Sequence, residues 1–234
     1  MTGANRGIGF EVARVLASRG CAVWLGARDT ARGAAAAGRL SAQGLDVTAL
    51  DLDVADENSV RRAAARVTAA GCRLDILVNN AGVALGSGTS PSVLDMEQIR
   101  AMFEINLFGC IRTTQAFLPL LRHSAAGRVV MVSSDMGSQG HQTDPGFPYY
   151  DLNPMGYAAS KAAMNAVAIA FAKELRGSPI KVNVANPGFT ATDLNEHRGV
   201  RTVEQGAEPI VALAMLPDDG PTGSFLGPDG PEPW

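Results

Sequence analysis

The sequence predicts an α/β fold in which helices cover both faces of a doubly wound parallel sheet. Five short apolar runs alternate with longer Ala-rich segments of helical periodicity, which is the order of elements that builds parallel sheets. A glycine-rich turn at the start of the chain is typical of the strand-to-helix turn that binds a nucleotide in such folds. The 234 residues are 46% hydrophobic, and their composition changes nowhere, so residues 1–234 are expected to form a single domain of the Rossmann type.

The five apolar runs predict buried parallel strands at residues 22–26, 46–50, 74–78, 128–133 and 181–185. The segments between and around them predict helices at residues 8–19, 31–43, 57–70, 96–123, 157–176 and 203–216. The long helix 96–123 is expected to bend or break near Gly109, and Pro217 is expected to end the last helix.

The first strand of this fold is missing from the sequence. The glycine-rich turn at residues 2–9 is of the kind that follows that strand, yet only Met1 precedes it. The strand lies in the middle of a doubly wound sheet, so its loss would expose backbone groups and apolar faces of its neighbours. We therefore expect the natural protein to begin several residues upstream, because the present start was placed on a valine codon read as an initiator. Mass spectrometry that found Met1 as the native first residue would contradict this.

Charge and cysteine content exclude several classes of function. The net charge is −3, the pI is near 5.6 and the basic residues are scattered, so nucleic acid is not an expected partner and a small molecule is. The sequence shows no signal peptide and no run of about 18 apolar residues, so a cytoplasmic protein without a membrane span is expected. Cys21, Cys72 and Cys110 have neither disulfide-framework nor zinc-site spacing, and no metal is expected.

The glycine-rich turn predicts a site for the pyrophosphate of a dinucleotide. Gly3, Gly7 and Gly9 open a predicted helix, where unpaired backbone N–H groups and the positive end of the helix dipole attract an anion. Asn5 and Ile8 belong to the same turn and are expected to contact the cofactor.

Two arginines favour NADP(H) as the cofactor. An acidic residue at the end of the strand after this helix binds the ribose 2′-hydroxyl of NAD, whereas an arginine there accommodates the 2′-phosphate of NADP. The strand 22–26 is followed by Ala27 and Arg28, and Arg6 adds a second cation from the glycine-rich turn. We expect both guanidinium groups to converge on one phosphate.

Two more segments follow predicted strands at the sheet edge where such folds bind ligands. Asp53 and Val54 come after strand 46–50, and Asp53 could accept a hydrogen bond from adenine. Asn80, Ala81 and Gly82 close strand 74–78. The alternative interpretations are a helix cap for Asp53 and an ordinary turn for the Asn-Ala-Gly segment.

Tyr157 and Lys161 lie one helical turn apart on the same face of a predicted helix. A cation within about 4–6 Å of a phenol stabilises the phenolate and lowers the tyrosine pKa from its usual value of about 10. Such a tyrosine can give a proton to a carbonyl oxygen or take one from an alcohol. The pair alone is a weak signal, because a solvated helix face often carries one.

The order and spacing of these motifs resemble the short-chain dehydrogenase/reductase family over essentially the whole chain. The matching motifs are Thr2-Gly3-x-x-x-Gly7-x-Gly9, Asn79-Asn80-Ala81-Gly82, Asn106, Ser133-Ser134, Tyr157-x-x-x-Lys161, and Pro187-Gly188 with Thr192.

The resemblance implies a role for each matched residue. Tyr157 would be the general acid in ketone reduction and the base in alcohol oxidation, and Lys161 would lower its pKa and hold the nicotinamide ribose. Ser134, chosen over Ser133 by strand parity, would bind the substrate oxygen, and Asn106 would order a water that links Lys161 to solvent. The implied nicotinamide contacts after the last predicted strand are Pro187, Gly188 and Thr192, of which Thr192 could alternatively cap a short helix.

The C-terminal part resembles the NADPH-linked carbonyl reductase branch, through Gln205-Gly206-Ala207-Glu208-Pro209 and Leu213-Ala214-x-Leu216-Pro217. One departure is that Ser134 and Tyr157 lie 23 positions apart, which is more than is usual in the family and fewer than in its monomeric carbonyl reductases. The extra segment, 135–156, is expected to be either a lid, with Phe147 and Tyr150 in an apolar wall of the substrate pocket, or a passive loop. It leaves a monomer and a homodimer both open. His141 within it is expected to be a surface-loop histidine.

The leading interpretation is an NADPH-dependent reductase of ketones or aldehydes. One alternative is an alcohol or steroid-type dehydrogenase that works in the oxidative direction. Another is a dinucleotide-sensing protein, because a fold does not determine a function. A sensor would not need the four residues implied to be catalytic, so the enzyme interpretations rank above it.

Overall fold

The computed structural model describes residues 1–71, 73–86 and 88–234, so Cys72 lies outside the described residues. The strands within these ranges are β1 Val23–Ala27, β2 Val47–Asp51, β3 Ile76–Asn79, β4 Arg128–Val132, β5 Lys181–Ala185, β6 Phe225–Gly227 and β7 Gly230–Pro231. Strand β1 pairs with β2, and the others form a ladder in the order β3-β4-β5-β6-β7. Every pair is parallel except β6 with β7. The predicted parallel α/β fold is therefore confirmed.

Residues 1–4 lie between the two ladders, in the place that the first strand of a doubly wound sheet would occupy. The Met1 amino group donates to the Trp24 carbonyl at 2.9 Å, and the Gly26 N–H donates to the Met1 carbonyl at 2.8 Å. On the other side, the Thr2 N–H donates to the Val78 carbonyl at 3.0 Å. This short stretch thus joins β1 to β3 by hydrogen bonds. The upstream start stays a prediction.

The helices are α1 Gly7–Ser18, α2 Thr30–Ser41, α3 Glu57–Ala69, α4 Met96–Phe103, α5 Gly109–Leu121, α6 Gln139–Gln142, α7 Met155–Glu174 and α8 Val203–Ala214. They cover both faces of the sheet. One core cluster joins α1, α2 and α8 to the strands, and a second joins α3, α5 and α7 to them. In β4, Val130 faces the first cluster and Val129 the second, as the two-residue period of a strand requires.

The predicted strands and helices agree with the observed ones to within about two residues at either end. Strands β6 and β7 were not predicted. Each has three residues or fewer and lies in a segment rich in glycine and proline, so neither shows the apolar periodicity of a strand.

The irregularity predicted near Gly109 is a π-helical turn at Glu104–Phe108, which joins α4 to α5 without a break. A π-helical turn widens the helix locally and is frequent at functional sites. Gly109 follows it directly, and a Cβ there would come within 2.7 Å of the Val54 side chain. The glycine therefore lets the helix approach the end of β2 closely.

Among the described residues, no helix is both long and apolar enough to cross a membrane.

Candidate active site

The carboxyl ends of β3, β4 and β5 bring the predicted catalytic and cofactor residues to one edge of the sheet. Ser134 follows β4, and Tyr157 and Lys161 lie in the first half of α7, which packs against β4 and β5. Asn106 lies in the π-helical turn, which also contacts α7. Three segments that are distant in sequence thus meet where an open α/β sheet binds its ligand.

Lys161 is buried at the centre of this group, and only 3% of it is exposed. Its Nζ donates a hydrogen bond to the Val132 carbonyl at 2.8 Å and lies 5.7 Å from the centre of the Tyr157 ring. Burial lowers the pKa of this ammonium to about 8. Lys161 is therefore a cation that can lose its proton near pH 8, within the pH range in which enzymes commonly work.

Tyr157 has the opposite shift from the one that the sequence predicted. Burial raises the pKa of its phenol to about 12; a hydrogen bond with Ser134 partly offsets this, and the charge of Asp135 adds to it. The expected lowering by Lys161 is wrong for this structure, because the ammonium is bound to a carbonyl and does not contact the hydroxyl. The phenol therefore holds its proton over the whole neutral range.

The structure places Ser134 against Tyr157, and it places Ser133 elsewhere. Ser133 is 2% exposed, its N–H bonds to the Ala185 carbonyl, and its hydroxyl has no hydrogen-bond partner among the described residues. Ser134 is half-buried, and its hydroxyl interacts with Tyr157 and with Asp135. Of the two serines, Ser134 thus presents its hydroxyl to Tyr157.

Asn106 is fully buried, and its side chain holds the loop after β3. Its amide Nδ2 donates to the Val83 carbonyl at 2.9 Å, and its Oδ1 accepts from the Val83 N–H at 2.8 Å. The same Nδ2 donates to the Ser160 hydroxyl at 2.9 Å. A Cβ on Gly82 would lie 3.3 Å from Asn106 Oδ1 and 3.4 Å from Lys161 Nζ, so both residues flank this glycine. The side chain of Asn106 is therefore occupied in joining α7 to the loop.

The turn before α1 has the shape and charge that an anionic pyrophosphate needs. Gly3 and Gly7 have φ values of +60° and +55°, which favour glycine. A Cβ on Gly9 would come within 2.5 Å of the Asn80 amide and the Gly3 carbonyl. The described residues provide neither a side-chain cap nor a first-turn acid for α1. Asn5 and Ile8 are half-buried in the same turn. The turn thus fits the pyrophosphate of a dinucleotide.

The two arginines expected at the 2′-phosphate differ in their surroundings. Arg6 Nη1 lies 2.6 Å from Asp193 Oδ2, across the cleft between the glycine-rich turn and the loop after β5. A hydrogen bond from His197 and the charge of Arg6 hold the pKa of the Asp193 carboxyl below its usual range. Arg28 is exposed at the end of β1, and the described part of the chain offers it no ion pair. The expected convergence is therefore not seen, since Asp193 holds Arg6, and Arg28 alone has a free guanidinium.

The remaining predicted cofactor residues line the same edge. Asp53 is half-buried, and its Oδ1 accepts a hydrogen bond from the Ala55 N–H at 3.0 Å, while Val54 is buried beside it. Asn80 donates to the Thr2 and Gly3 carbonyls at 3.1 and 2.9 Å, which fixes the glycine-rich turn to the end of β3. Thr192 precedes a short 3₁₀ helix, and its Cγ2 would lie 3.6 Å from a Cβ on Gly7. The other predicted cofactor contacts are Ala81 and Gly82 in the loop after β3, and Pro187 and Gly188 in the loop after β5.

The segment 135–156 is tied to the C-terminus and to the loop after β5. His141 Nε2 lies 2.5 Å from Glu232 Oε2. The expectation of a surface-loop histidine is wrong, because His141 lies in α6 and its side chain is only 23% exposed. His141 stacks on Phe147, Phe147 contacts Tyr149, and Tyr149 contacts Phe189, which follows Gly188. This aromatic series connects the segment to the predicted nicotinamide loop.

Three residues near the site were not predicted: Asp135, Phe189 and Glu232. Asp135 and Phe189 adjoin motif residues, and that position was their only signal in the sequence. Glu232 lies 91 positions from the histidine that it contacts, and no local pattern reports such a contact. In the described ranges, no group of His, Cys, Asp and Glu residues is arranged to hold a metal ion.

Comparison with known proteins agrees with this arrangement. A family model described as short chain dehydrogenase matches residues 1–201. The (+)-neomenthol dehydrogenase of Arabidopsis thaliana is 34% identical over an alignment of 281 positions, which covers 97% of this chain and 94% of that protein.

Two solved structures resemble the whole chain. Salutaridine reductase from Papaver somniferum has a TM-score of 0.84 and 28% identity, covering 96% of this chain and 97% of that one. A metagenomic short-chain oxidoreductase in complex with NADP has a TM-score of 0.78 and 28% identity, covering 96% and 92%. Because the family model matches most of the chain and these relatives resemble it over nearly its whole length, the chain belongs to the short-chain dehydrogenase/reductase family of oxidoreductases.

Proposed function

We propose that the protein reduces a ketone or aldehyde to an alcohol with NADPH. The observation that carries this proposal is the convergence of the Tyr157 phenol, the Ser134 hydroxyl and the Lys161 ammonium beside an uncapped, glycine-lined helix N-terminus. The phenol keeps its proton at neutral pH, as a general acid for reduction must.

Tyr157, Ser134 and Lys161 would have separate roles in the reduction. The carbonyl carbon would accept a hydride, which a nicotinamide dinucleotide would supply when bound. Tyr157 gives its hydroxyl proton to the carbonyl oxygen, which becomes the alcohol oxygen. Ser134 holds the Tyr157 hydroxyl in place, and Lys161, charged below about pH 8, would hold the nicotinamide ribose.

The glycine-lined turn and three loops would hold the cofactor. Gly3, Gly7 and Gly9 would receive the pyrophosphate, with Asn5, Arg6 and Ile8 around it. Asp53 and Val54 would adjoin the adenine. The nicotinamide half would meet Asn80, Ala81, Gly82, Pro187, Gly188 and Thr192, together with Tyr157 and Lys161.

The phosphorylated cofactor is proposed because of the charge at the end of β1. Ala27 leaves no carboxylate to accept a ribose hydroxyl, and Arg28 offers a guanidinium that no described residue pairs. A structural neighbour of this chain was solved with NADP, which supports the same choice.

The test is oxidation of NADPH and of NADH, followed by nicotinamide absorbance, across aldehydes, quinones, cyclic ketones and steroids. We expect turnover with NADPH to exceed turnover with NADH for the best substrate. Turnover with NADH alone would contradict the cofactor proposal. Tight NADPH binding without any turnover would favour a dinucleotide-sensing protein.

A second candidate is alcohol oxidation, because the relative from Arabidopsis thaliana is named a dehydrogenase of (+)-neomenthol. The same Tyr157 would then act as the base. Initial rates with the product alcohol and NADP⁺, measured at equal pH, decide how well the chain works in that direction.

A further inference from the structure

Glu232, near the C-terminus, places a carboxylate between two segments of the proposed site. Its side chain is only 13% exposed. Its Oε1 accepts a hydrogen bond from Asn186 Nδ2 at 2.9 Å, and its Oε2 lies 2.5 Å from His141 Nε2. Asn186 belongs to the loop after β5, and His141 belongs to the segment 135–156. The two oxygens of one carboxylate therefore join these two segments.

Asn186 extends this connection to the backbone of the loop after β5. It is 3% exposed, and its Oδ1 accepts a hydrogen bond from the Gly188 N–H at 2.9 Å. A carboxylate only accepts hydrogen bonds, so it fixes the amide of Asn186 with the NH₂ towards Glu232 and the oxygen towards Gly188. Gly188 is one of the predicted nicotinamide contacts. The Glu232 carboxylate thus orients the side chain that holds this contact.

Gly227 leaves the space that the Glu232 carboxylate fills. A Cβ at this position would overlap Glu232 Oε1. Gly227 lies in β6 and is not among the glycines with positive φ, so its backbone conformation does not require a glycine. The missing side chain therefore serves to make room for the carboxylate.

A purely structural role for Glu232 would be to anchor the C-terminal tail, residues 231–234. The main chain of the tail already does this. The Glu232 N–H donates to the Phe225 carbonyl at 2.9 Å, and the Ser138 hydroxyl donates to the Pro233 carbonyl at 2.7 Å. Neither bond uses the Glu232 side chain. Its carboxylate, which loses hydration on burial, is instead compensated by the two groups of the proposed site.

We propose that Glu232 is a positioning residue for the nicotinamide half of the cofactor. Through Asn186 it fixes the Gly188 N–H, and through His141 it holds the segment 135–156 against the same loop. This inference rests on the proposed function for the ligand that the loop receives. The connection between the two segments can be measured without any ligand.

Four variants separate positioning from folding. Glu232→Ala removes both contacts of the carboxylate. Glu232→Gln keeps them, because the amide oxygen can accept from Asn186 and the NH₂ can donate to the His141 ring. Gly227→Ala displaces the carboxylate and leaves Glu232 unchanged. Asp229→Ala is the matched control, since it removes an exposed carboxylate from the same part of the chain.

The first measurement is hydrogen exchange of the cofactor-free protein, followed by mass spectrometry of its peptides. We expect Glu232→Ala to speed exchange by about 10-fold or more in residues 186–190 and in residues 138–143 together, because both segments lose a common anchor. Exchange in α3 and in the Asp229→Ala variant should stay as in the wild type. Unchanged exchange in either of the two segments would overturn the proposal.

The second measurement is the pair of dissociation constants for NADPH and for adenosine 2′,5′-bisphosphate, which is the part of NADPH without the nicotinamide. We expect Glu232→Ala to weaken NADPH by about 10-fold or more and the bisphosphate by less than about 2-fold. Glu232→Gln should stay within about 3-fold of the wild type for both ligands. Equal weakening of both ligands, or unchanged NADPH binding, would overturn the proposal, because a general loss of structure does not distinguish the two halves of the cofactor.

The two measurements distinguish this inference from the proposed function. If the wild type does not bind NADPH, the proposed function fails, while hydrogen exchange still decides whether Glu232 connects the two segments. If Glu232→Ala does not fold, Gly227→Ala carries both measurements with the same expected results, because its methyl group must displace the carboxylate.

Discussion

The electrostatics of the proposed site are set by burial at individual residues. The same loss of water destabilises an ammonium and a phenolate, so it lowers the pKa of Lys161 to about 8 and raises that of Tyr157 to about 12. The four-residue spacing predicted that the two side chains meet. It could not predict the direction of either shift, because burial and the hydrogen bond to Val132 come from distant parts of the chain.

Reduction should lose efficiency above about pH 8, where Lys161 gives up its proton. Below that pH the ammonium is charged and Tyr157 holds its proton, so kcat/KM for reduction should be flat. Lys161→Arg should remove the loss, because a guanidinium stays charged throughout this range. The measurement is kcat/KM for ketone reduction between pH 6 and 10, and we expect kcat/KM to fall by about one decade per pH unit above about pH 8. A flat wild-type profile up to about pH 10 would contradict this role of Lys161.

Arg28→Ala should weaken NADPH binding and leave NADH binding nearly unchanged. A charged hydrogen bond contributes about 1.5–3 kcal/mol, which corresponds to a loss of about 10- to 100-fold in NADPH affinity. Arg32→Ala is the control, since Arg32 lies nearby on α2, is exposed and pairs with Asp29. Equal losses for both cofactors, measured as dissociation constants by fluorescence titration, would sink the assignment of Arg28 to the 2′-phosphate.

Helices and strands in which apolar residues recur at a regular spacing could be predicted from the sequence, whereas irregular elements could not. Helices α1 and α3 and strand β5 were located because apolar residues recur along them at one period. The π-helical turn at Glu104–Phe108 breaks that period over a few residues only, so the sequence indicated its place and not its form. The contact of His141 with Glu232 joins two segments far apart in sequence, and only the folded chain brings them together.

The segment 135–156 should shape the substrate pocket through its aromatic series. Phe147→Ala combined with Tyr149→Ala removes the contact with Phe189, and we expect a higher KM for bulky ketones with a smaller effect on kcat. Tyr149 replaces Tyr150 in the sequence-based hypothesis, because Tyr150 is 46% exposed. Tyr150→Ala is therefore the control. Unchanged kinetics in the double variant would leave the segment as a passive loop.

At the scale of the whole molecule, the proposed active site depends on the few residues that connect the β1-β2 ladder to the ladder that begins with β3. Residues 1–4 join β1 to β3, and the glycine-rich turn that follows forms one wall of the proposed cofactor site. Thr2 is 1% exposed, and its hydroxyl accepts hydrogen bonds from the Asn80 and Ala81 N–H groups, each at 2.9 Å. The same side chain thus holds the sheet together and fixes the turn.

Thr2→Val should destabilise the fold by about 2–4 kcal/mol, because it keeps the shape of the side chain and leaves two partly buried N–H groups without an acceptor. Thr2→Ser keeps the hydroxyl and should cost only about 1 kcal/mol for the lost methyl group. Denaturant unfolding of both variants gives the two free energies. Equal losses would mean that packing, and not the pair of hydrogen bonds, is what Thr2 contributes.

The central claim is that Tyr157 is the proton donor of an NADPH-dependent carbonyl reduction. Its most direct test is NADPH oxidation by the wild type and by Tyr157→Phe on the best ketone of the panel, with NADPH affinity measured in parallel. We expect Tyr157→Phe to bind NADPH normally and to lose about 100- to 10,000-fold in kcat. Turnover that survives the loss of the phenol hydroxyl would contradict the claim.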